Sequence, residues 1–189
     1  MTDYPTLAQW RVHVVPKVQP RDQTFVLMPS GDQVVIDWYG KDMAGAKWLL
    51  QLKYGPSFQP PGPPPGDSYF LLVHERTQKR LGWPDQGYVE HRWDYDIREF
   101  GRGLFGDPND AWGKVVMKPG PLTLHDLKSP NIEGDAVRFD SLSSPYLAIN
   151  DLTKQRVLDI PGGRTDPATQ VQAFAWNGGD NQQWQLVFV

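Results

Sequence analysis

The chain has 189 residues, a formal net charge of −3 and no cysteine. This length can bury one sizeable core or two small ones, and the weakly acidic balance offers no basic surface for nucleic acid or an anionic membrane. The absence of cysteine excludes disulfides, thiolate metal sites and cysteine nucleophiles.

The N-terminal residues Met1–Pro5 show neither the basic nor the apolar region of a signal peptide. No run of about 18 apolar residues occurs, so we expect no membrane insertion. The sequence leaves the compartment open. We expect a cytoplasmic protein, or one released without a conventional signal.

Short apolar segments rich in β-branched and aromatic residues recur along the chain, bounded by Gly, Pro, Asp or Asn. This pattern predicts strands, and no amphipathic helix longer than two turns is evident. The predicted strands are, in chain order, Val12–Val15, Thr24–Leu27, Gln33–Tyr39, Trp48–Leu52, Tyr69–Val73, Lys114–Met117, Tyr146–Ile149 and Trp184–Val189. The predicted fold class is therefore all-β.

One segment, Pro56–Gly66, is low in complexity and rich in proline. It suits either a polyproline ligand of a small recognition domain or a stiff surface loop between two repeats. The loop is favoured, because predicted strands of one fold stand on both sides of it.

An internal repeat is visible in two hairpin-like stretches, Tyr69–Pro84 and Tyr146–Pro161. Each begins with Tyr and an apolar strand, passes a polar turn with Thr, Lys, Gln and Arg, and ends in Pro. Trp-led strands at Trp48, Trp112 and Trp184 add a third copy. Three copies of about four strands predict a closed barrel without exposed edges. We expect one domain, 1–189, with repeats at roughly 8–55, 67–120 and 144–189; an additional strand-like pair within Pro121–Ser143 is not placed by this alignment.

The third copy contains Val157-Leu-Asp159, an aromatic residue at Phe174, and the string Asn177-Gly-Gly-Asp-Asn-Gln-Gln-Trp184. These residues resemble the repeat of ricin B-type lectins, which ends in the QxW motif. The resemblance implies a β-trefoil with three uneven four-stranded repeats, and a galactose or N-acetylgalactosamine site built from side chains without metal or cofactor.

The residue chemistry agrees with a sugar site. A sugar has adjacent hydroxyl groups and one apolar C–H face, which suit a carboxylate, an amide and an aromatic ring. Asp159, Asn181 and Phe174 supply one of each. The resemblance also implies a polar contact from Asn177, a supporting role for Gln182 beside the Asp, and a core position for Trp184.

Each of these residues has a simpler explanation. Asp159 suits the turn before Pro161, Phe174 suits the core, and Asn177-Gly-Gly is a good turn sequence by itself. Their joint occurrence in the family order favours the sugar site. At the positions of Asp159, the aromatic residue and Asn181, the alignment gives Met28, Trp38 and Gly45 in the first copy, and Gly82, Arg102 and Asn109 in the second. We therefore expect one competent site.

The sequence favours a carbohydrate-binding lectin that is not an enzyme, with glycans or glycoproteins as partners and a homodimer or tethered protein for avidity. A trefoil serving as a protein-interaction module, such as a protease inhibitor or a toxin component, is the alternative, with its long loops Pro56–Gly66 and Gly87–Phe100 as contacts. An enzyme or metal site would have its best candidate in His91 with Asp94 or Asp96. A solvated loop explains that stretch better.

Overall fold

A computed structural model of the chain describes residues 5–84, 86–90, 114–117, 119–127 and 133–189. The chain divides into two compact units, Met1–Pro84 with Pro119–Val189, and Asp85–Lys118. In the described ranges the helical segments are 3-10 turns of three residues: Tyr39–Lys41, Ala44–Ala46, Glu133–Asp135, Pro161–Gly163 and Asp180–Gln182. No helix among these ranges is long and apolar enough to cross a membrane.

All other regular structure in the described residues is β. The strands are, in chain order, β1 Ala8–Pro16, β2 Phe25–Ser30, β3 Gln33–Trp38, β4 Trp48–Tyr54, β5 Tyr69–His74, β6 Lys79–Gly82, β7 Gln86–Glu90, β8 Lys114–Met117, β9 Gly120–Pro121, β10 Thr123–Asp126, β11 Val137–Ser141, β12 Leu147–Asp151, β13 Val157–Asp159, β14 Thr169–Gln170, β15 Gln172–Phe174 and β16 Trp184–Phe188.

Six antiparallel strands of the larger unit close into a ring. The order is β1, β4, β5, β11, β12 and β16, and β16 pairs back with β1. Three hairpins accompany this ring: β2–β3, β6–β10 and β13–β15. Each repeat thus provides two ring strands and one hairpin, and ring closure leaves no unpaired edge.

The core forms where alternate residues of the ring strands point inward, as the period of two in strands requires. Val12, Val14, Leu50 and Leu52 are at most 1% exposed and belong to one apolar cluster. Two buried tryptophans extend it at the start of β4 and β16.

The hydrogen bonds of those tryptophans identify equivalent residues in the first and third repeats. The indole Nε1 of Trp48 donates to the Leu27 carbonyl oxygen at 3.0 Å, and that of Trp184 donates to the Leu158 carbonyl oxygen at 3.0 Å. Leu27 and Leu158 are therefore equivalent, so Met28 corresponds to Asp159, as the sequence alignment predicts.

The structure corrects the alignment of the second copy on Trp112. The strand after Trp112, β8, pairs with β7 in the smaller unit, and β11 is the strand that pairs with both β5 and β12. Val137 pairs with Asp151 as Trp48 pairs with His74, so Val137 holds the tryptophan position. The stretch between β6 and β9 contains a strand that follows a tryptophan, Trp112. The sequence alignment therefore matched Trp112 to Trp184 wrongly.

A tryptophan from another strand supplies the bulk that Val137 lacks. Trp83, directly after β6, is 2% exposed and its Nε1 donates to the Ala136 carbonyl oxygen at 3.2 Å. The four strands of the second repeat run from Tyr69 to Ser141, and they include the two segments of Pro121–Ser143 that the sequence did not place.

His74 links stability of the ring to pH. Its ring lies buried, with Nδ1 2.8 Å from Thr77 Oγ1 and Nε2 2.8 Å from the Gly45 carbonyl oxygen. Burial lowers the pKa of His74 below its ordinary value of 6.5, although the Gly45 carbonyl opposes this shift.

Because the folded state binds this proton less readily than the unfolded state, the stabilisation is present above about pH 6.5 and is lost as the pH falls through the folded pKa. We expect urea unfolding to show a lower free energy of unfolding at acidic pH than at neutral pH, and His74→Gln to reduce that difference. An unchanged pH dependence in the variant would contradict this assignment.

Candidate functional site

An open pocket of about 520 Å³ lies at the β13–β15 hairpin of the third repeat. Its lining brings together backbone glycines, an aromatic ring and polar side chains: Val18, Asp159, Gly162, Gly163, Gln172, Phe174, Asn177, Asp180 and Asn181. All four residues predicted to contact a sugar are in this set.

Asp159 is the centre of a hydrogen-bond network at the base of the pocket. Asp159 is only 2% exposed. Oδ2 accepts from Gln182 Nε2 at 2.7 Å and from Asn181 Nδ2 at 3.2 Å, and Oδ1 accepts from Gln172 Nε2 at 3.0 Å. Three amide groups therefore fix the carboxylate, and a second lone pair of Oδ1 remains for a ligand.

Gln182 connects the carboxylate to the turn that follows β15. Its Nε2 also donates to the Ala175 carbonyl oxygen at 2.8 Å, and its Oε1 accepts from the Asn177 backbone N–H at 2.7 Å. The side chain is fully buried. Gln182, for which the sequence predicts a position beside the carboxylate, is thus hydrogen-bonded to Asp159. Trp184, also 0% exposed, lies in the core and does not line the pocket.

Asn177 and Asn181 flank the base. Asn177 Oδ1 accepts from the Gly179 backbone N–H at 2.8 Å, which orders the turn. Asn181 donates to Asp159 and to the Ile160 carbonyl oxygen at 3.1 Å. Both N–H groups of this amide are thus engaged, so its carbonyl oxygen is what it can offer to a ligand.

Phe174 provides the apolar side of the pocket. It is 42% exposed although it stands on a strand, whereas the preceding Ala173 is fully buried. The lining also includes Gly162 and Gly163, whose φ values of 63° and 65° are in the left-handed region that favours glycine. The backbone there presents no side chain to the pocket, which leaves room for a ring.

Two features of the pocket were missed by the sequence analysis. Gln172 pairs with Asp159 across the β13–β15 hairpin, and strand alternation two residues before Phe174 is the signal that could have found it. Val18 comes from the first repeat, and no local pattern in the sequence indicates that contact.

The first repeat fills the equivalent place with an apolar cluster. Met28 pairs with Val35 as Asp159 pairs with Gln172, and Ala46 precedes its tryptophan as Gln182 does. These three residues and Val26 pack as a separate buried cluster. Carboxylate and amide partners have been replaced together, which avoids unpaired polar groups.

Trp38 does not occupy the position predicted for it. Asp37 pairs with Val26 as Phe174 pairs with Val157, so Trp38 lies one residue beyond the position of Phe174. Asp37 is 3% exposed and binds Lys41 Nζ through Oδ2 at 2.8 Å. The sequence alignment placed Trp38 by counting back from Trp48. The segment between this position and the tryptophan is one residue longer in the first repeat than in the third, so the count is wrong by one.

The second repeat fills the place with charged groups. Gly82 pairs with Thr123, and Arg80 with His125, so His125 holds the position of Phe174 in place of the predicted Arg102. Asp135, at the position of Gln182, accepts hydrogen bonds from Arg80 Nε and from His125 Nδ1.

His125 also occupies the room of the missing carboxylate. A Cβ built on Gly82 would lie 2.4 Å from His125 Cγ. The imidazole thus stands where the third repeat has the Asp159 side chain. Arg102, Asn109, His91, Asp94 and Asp96, which the sequence analysis considered, lie outside the described residues.

No known sequence family and no curated protein matches this chain. Among solved structures, the designed 3-fold symmetric protein ThreeFoil is similar with a TM-score of 0.60 and 18% identity, over 95% of this chain and 99% of ThreeFoil. A Macrolepiota procera ricin B-like lectin, solved in complex with lactose, is similar with a TM-score of 0.52 and 15% identity, over 98% and 99% of the two chains.

The chain has a β-trefoil fold. This confirms the all-β class predicted from the strand-like segments along the chain and the β-trefoil predicted from the repeats. An exo-β-1,3-galactanase from Clostridium thermocellum is also similar, with a TM-score of 0.63 and 16% identity. The similarity covers 98% of this chain and 31% of the galactanase chain, so this β-trefoil corresponds to one part of a longer protein there.

Proposed function

We propose that this β-trefoil is a carbohydrate-binding protein that recognises galactose- or N-acetylgalactosamine-type glycans non-covalently through the pocket of its third repeat. The observation that carries the proposal is the carboxylate of Asp159. It is held by three amides at the base of an open pocket, whose side is the exposed ring of Phe174.

Each group has a defined task in this proposal. Asp159 Oδ1 accepts a hydrogen bond from a sugar hydroxyl, and charged acceptors form the stronger bonds. The Asn181 carbonyl oxygen accepts from a neighbouring hydroxyl. Phe174 covers the apolar C–H face. Because three amides hold the carboxylate of Asp159, binding requires little side-chain ordering.

We expect weak binding at one site. A shallow, solvent-open pocket with few hydrogen bonds suits a Kd on the order of mM, or about −4 kcal/mol. Useful avidity would come from a homodimer or from a tethered partner. The lactose complex of the Macrolepiota procera lectin supports the choice of galactose-type probes.

Phe174→Ala tests the aromatic contact, with Trp38→Ala as its matched control. Trp38 is exposed to a similar degree, 45% against 42%, but has no carboxylate–amide network beside it. We expect Phe174→Ala to weaken galactoside binding about tenfold, since aromatic contacts contribute about 0.5–1.5 kcal/mol beyond area. Trp38→Ala should leave it unchanged in calorimetric titrations.

A glycan array probes the function as a whole. Binding to galactose-terminated glycans that is lost in Asp159→Asn would support the proposal. An array without hits, with no difference between wild type and Asp159→Asn, would exclude it. The protein-interaction alternative would then be tested by pull-down with substitutions in the loop Pro56–Gly66.

A further inference from the structure

The connection between β1 and β2 is longer than its counterparts and reaches another repeat. It has eight residues, 17–24, whereas the corresponding connections 75–78 and 152–156 have four and five. Val18, near its start, lines the pocket of the third repeat. The pocket is thus built from two repeats, although the motif that indicates it lies in one.

Hydrogen bonds within this connection fix its shape. Gln19 Nε2 donates to the carbonyl oxygens of Pro16 at 2.9 Å and Phe25 at 3.0 Å, and its Oε1 accepts from the Phe25 backbone N–H at 2.6 Å. One partly buried amide therefore joins the end of β1 to the start of β2 and fixes the segment between them.

Further bonds fasten the same connection to the pocket rim. The Lys17 backbone N–H donates to the Gln183 carbonyl oxygen at 2.9 Å, and Lys17 Nζ lies 3.0 Å from Asp180 Oδ1. The Asp180 side chain remains 62% exposed. Val18 and Asp180 are therefore held side by side in the pocket lining by Lys17.

We infer that the part of the pocket lined by Val18 and Asp180 is a second sugar subsite, so that the pocket prefers an oligosaccharide to a single sugar. The inference rests on the proposed function. The terminal residue would lie over Asp159 and Phe174, and the next would contact Val18 through its C–H face and Asp180 through a hydroxyl. A pocket of about 520 Å³ is in the range that holds drug-sized molecules, which exceed one hexose.

The test compares a glycan with its own terminal sugar. A glycan array carries galactose, N-acetylgalactosamine, and di- and trisaccharides that end in each of them. It identifies the oligosaccharide that binds most strongly. Calorimetry then measures its Kd and that of its terminal monosaccharide. We expect the oligosaccharide to bind at least about fivefold more tightly, which is the gain of one net polar contact.

Two variants locate this gain. Asp180→Ala and Val18→Ala should each reduce the ratio of the two affinities about two- to fivefold, towards one. Asp22→Ala, which removes a carboxylate from the connection 17–24 that does not line the pocket, should keep the ratio.

The outcomes separate the inference from the proposed function. Equal affinity of monosaccharides and all oligosaccharides would overturn the subsite, and so would a preference that survives both variants. Neither result would affect the single-sugar site. If no sugar binds and Asp159→Asn changes nothing, both the function and the subsite are excluded.

Discussion

Asp159→Ala should abolish glycan binding and also destabilise the fold. The variant removes the acceptor of three amide donors, those of Gln172, Asn181 and Gln182. Gln182 is fully buried, and leaving buried donors without their acceptor costs about 1–3 kcal/mol each. Asn181 and Gln182 keep carbonyl partners, so we expect a total loss of about 3 kcal/mol. Thermal unfolding would show this as a decrease in Tm of about 6–12 °C.

A matched variant separates the two effects. The triple substitution Asp159→Met, Gln172→Val and Gln182→Ala places the apolar set of the first repeat in the third. Gln172 and Gln182 leave together with the carboxylate, and Asn181 keeps the Ile160 carbonyl oxygen, but the Asn177 N–H loses its acceptor on Gln182. We therefore expect the free energy of unfolding to recover part of the loss, while glycan binding remains absent. If the triple variant bound glycans like wild type, the carboxylate would have no part in recognition. If it were less stable than Asp159→Ala, the network would not be the reason for the single variant's instability.

The third repeat could be predicted from the sequence because its polar residues follow one another within a short stretch. The spacing from Asn177 to Trp184 encodes a turn, an amide beneath the carboxylate and a core indole, all within the hydrogen-bonding reach of neighbouring strands. Local geometry determines such contacts, so the lining residues predicted from the motif are together in one pocket.

The other repeats could not be read in the same way. In the second repeat the stretch between β6 and β9 separates strands that pair with one another, and it contains a Trp-led strand of its own. Asp135 and His125 therefore carried no recognisable spacing. Val18 enters the pocket from a different repeat, and long-range contacts of this type depend on ring closure rather than on local pattern.

The largest effect on stability is expected from Asp151→Ala. Asp151 and Arg156 are 1% and 2% exposed, and Arg156 Nε donates to Asp151 Oδ2 at 2.8 Å. Asp151 Oδ1 also accepts from Thr153 Oγ1 at 2.9 Å and from the Gln155 backbone N–H at 3.1 Å, which shapes the turn between β12 and β13. Removing one member of a buried, hydrogen-bonded ion pair costs about 3–5 kcal/mol.

Asp32→Ala is the control for this loss, because its pair with Lys79 is exposed and the Asp32 side chain is 72% accessible. Exposed pairs contribute about 0–1 kcal/mol, so this variant should unfold within a few degrees of wild type.

Asp151→Asn keeps an acceptor for the turn and loses only the charge, and we expect its stability to lie between those of Asp151→Ala and Asp32→Ala. Equal Tm values for Asp151→Ala and Asp32→Ala would contradict the role of the buried pair.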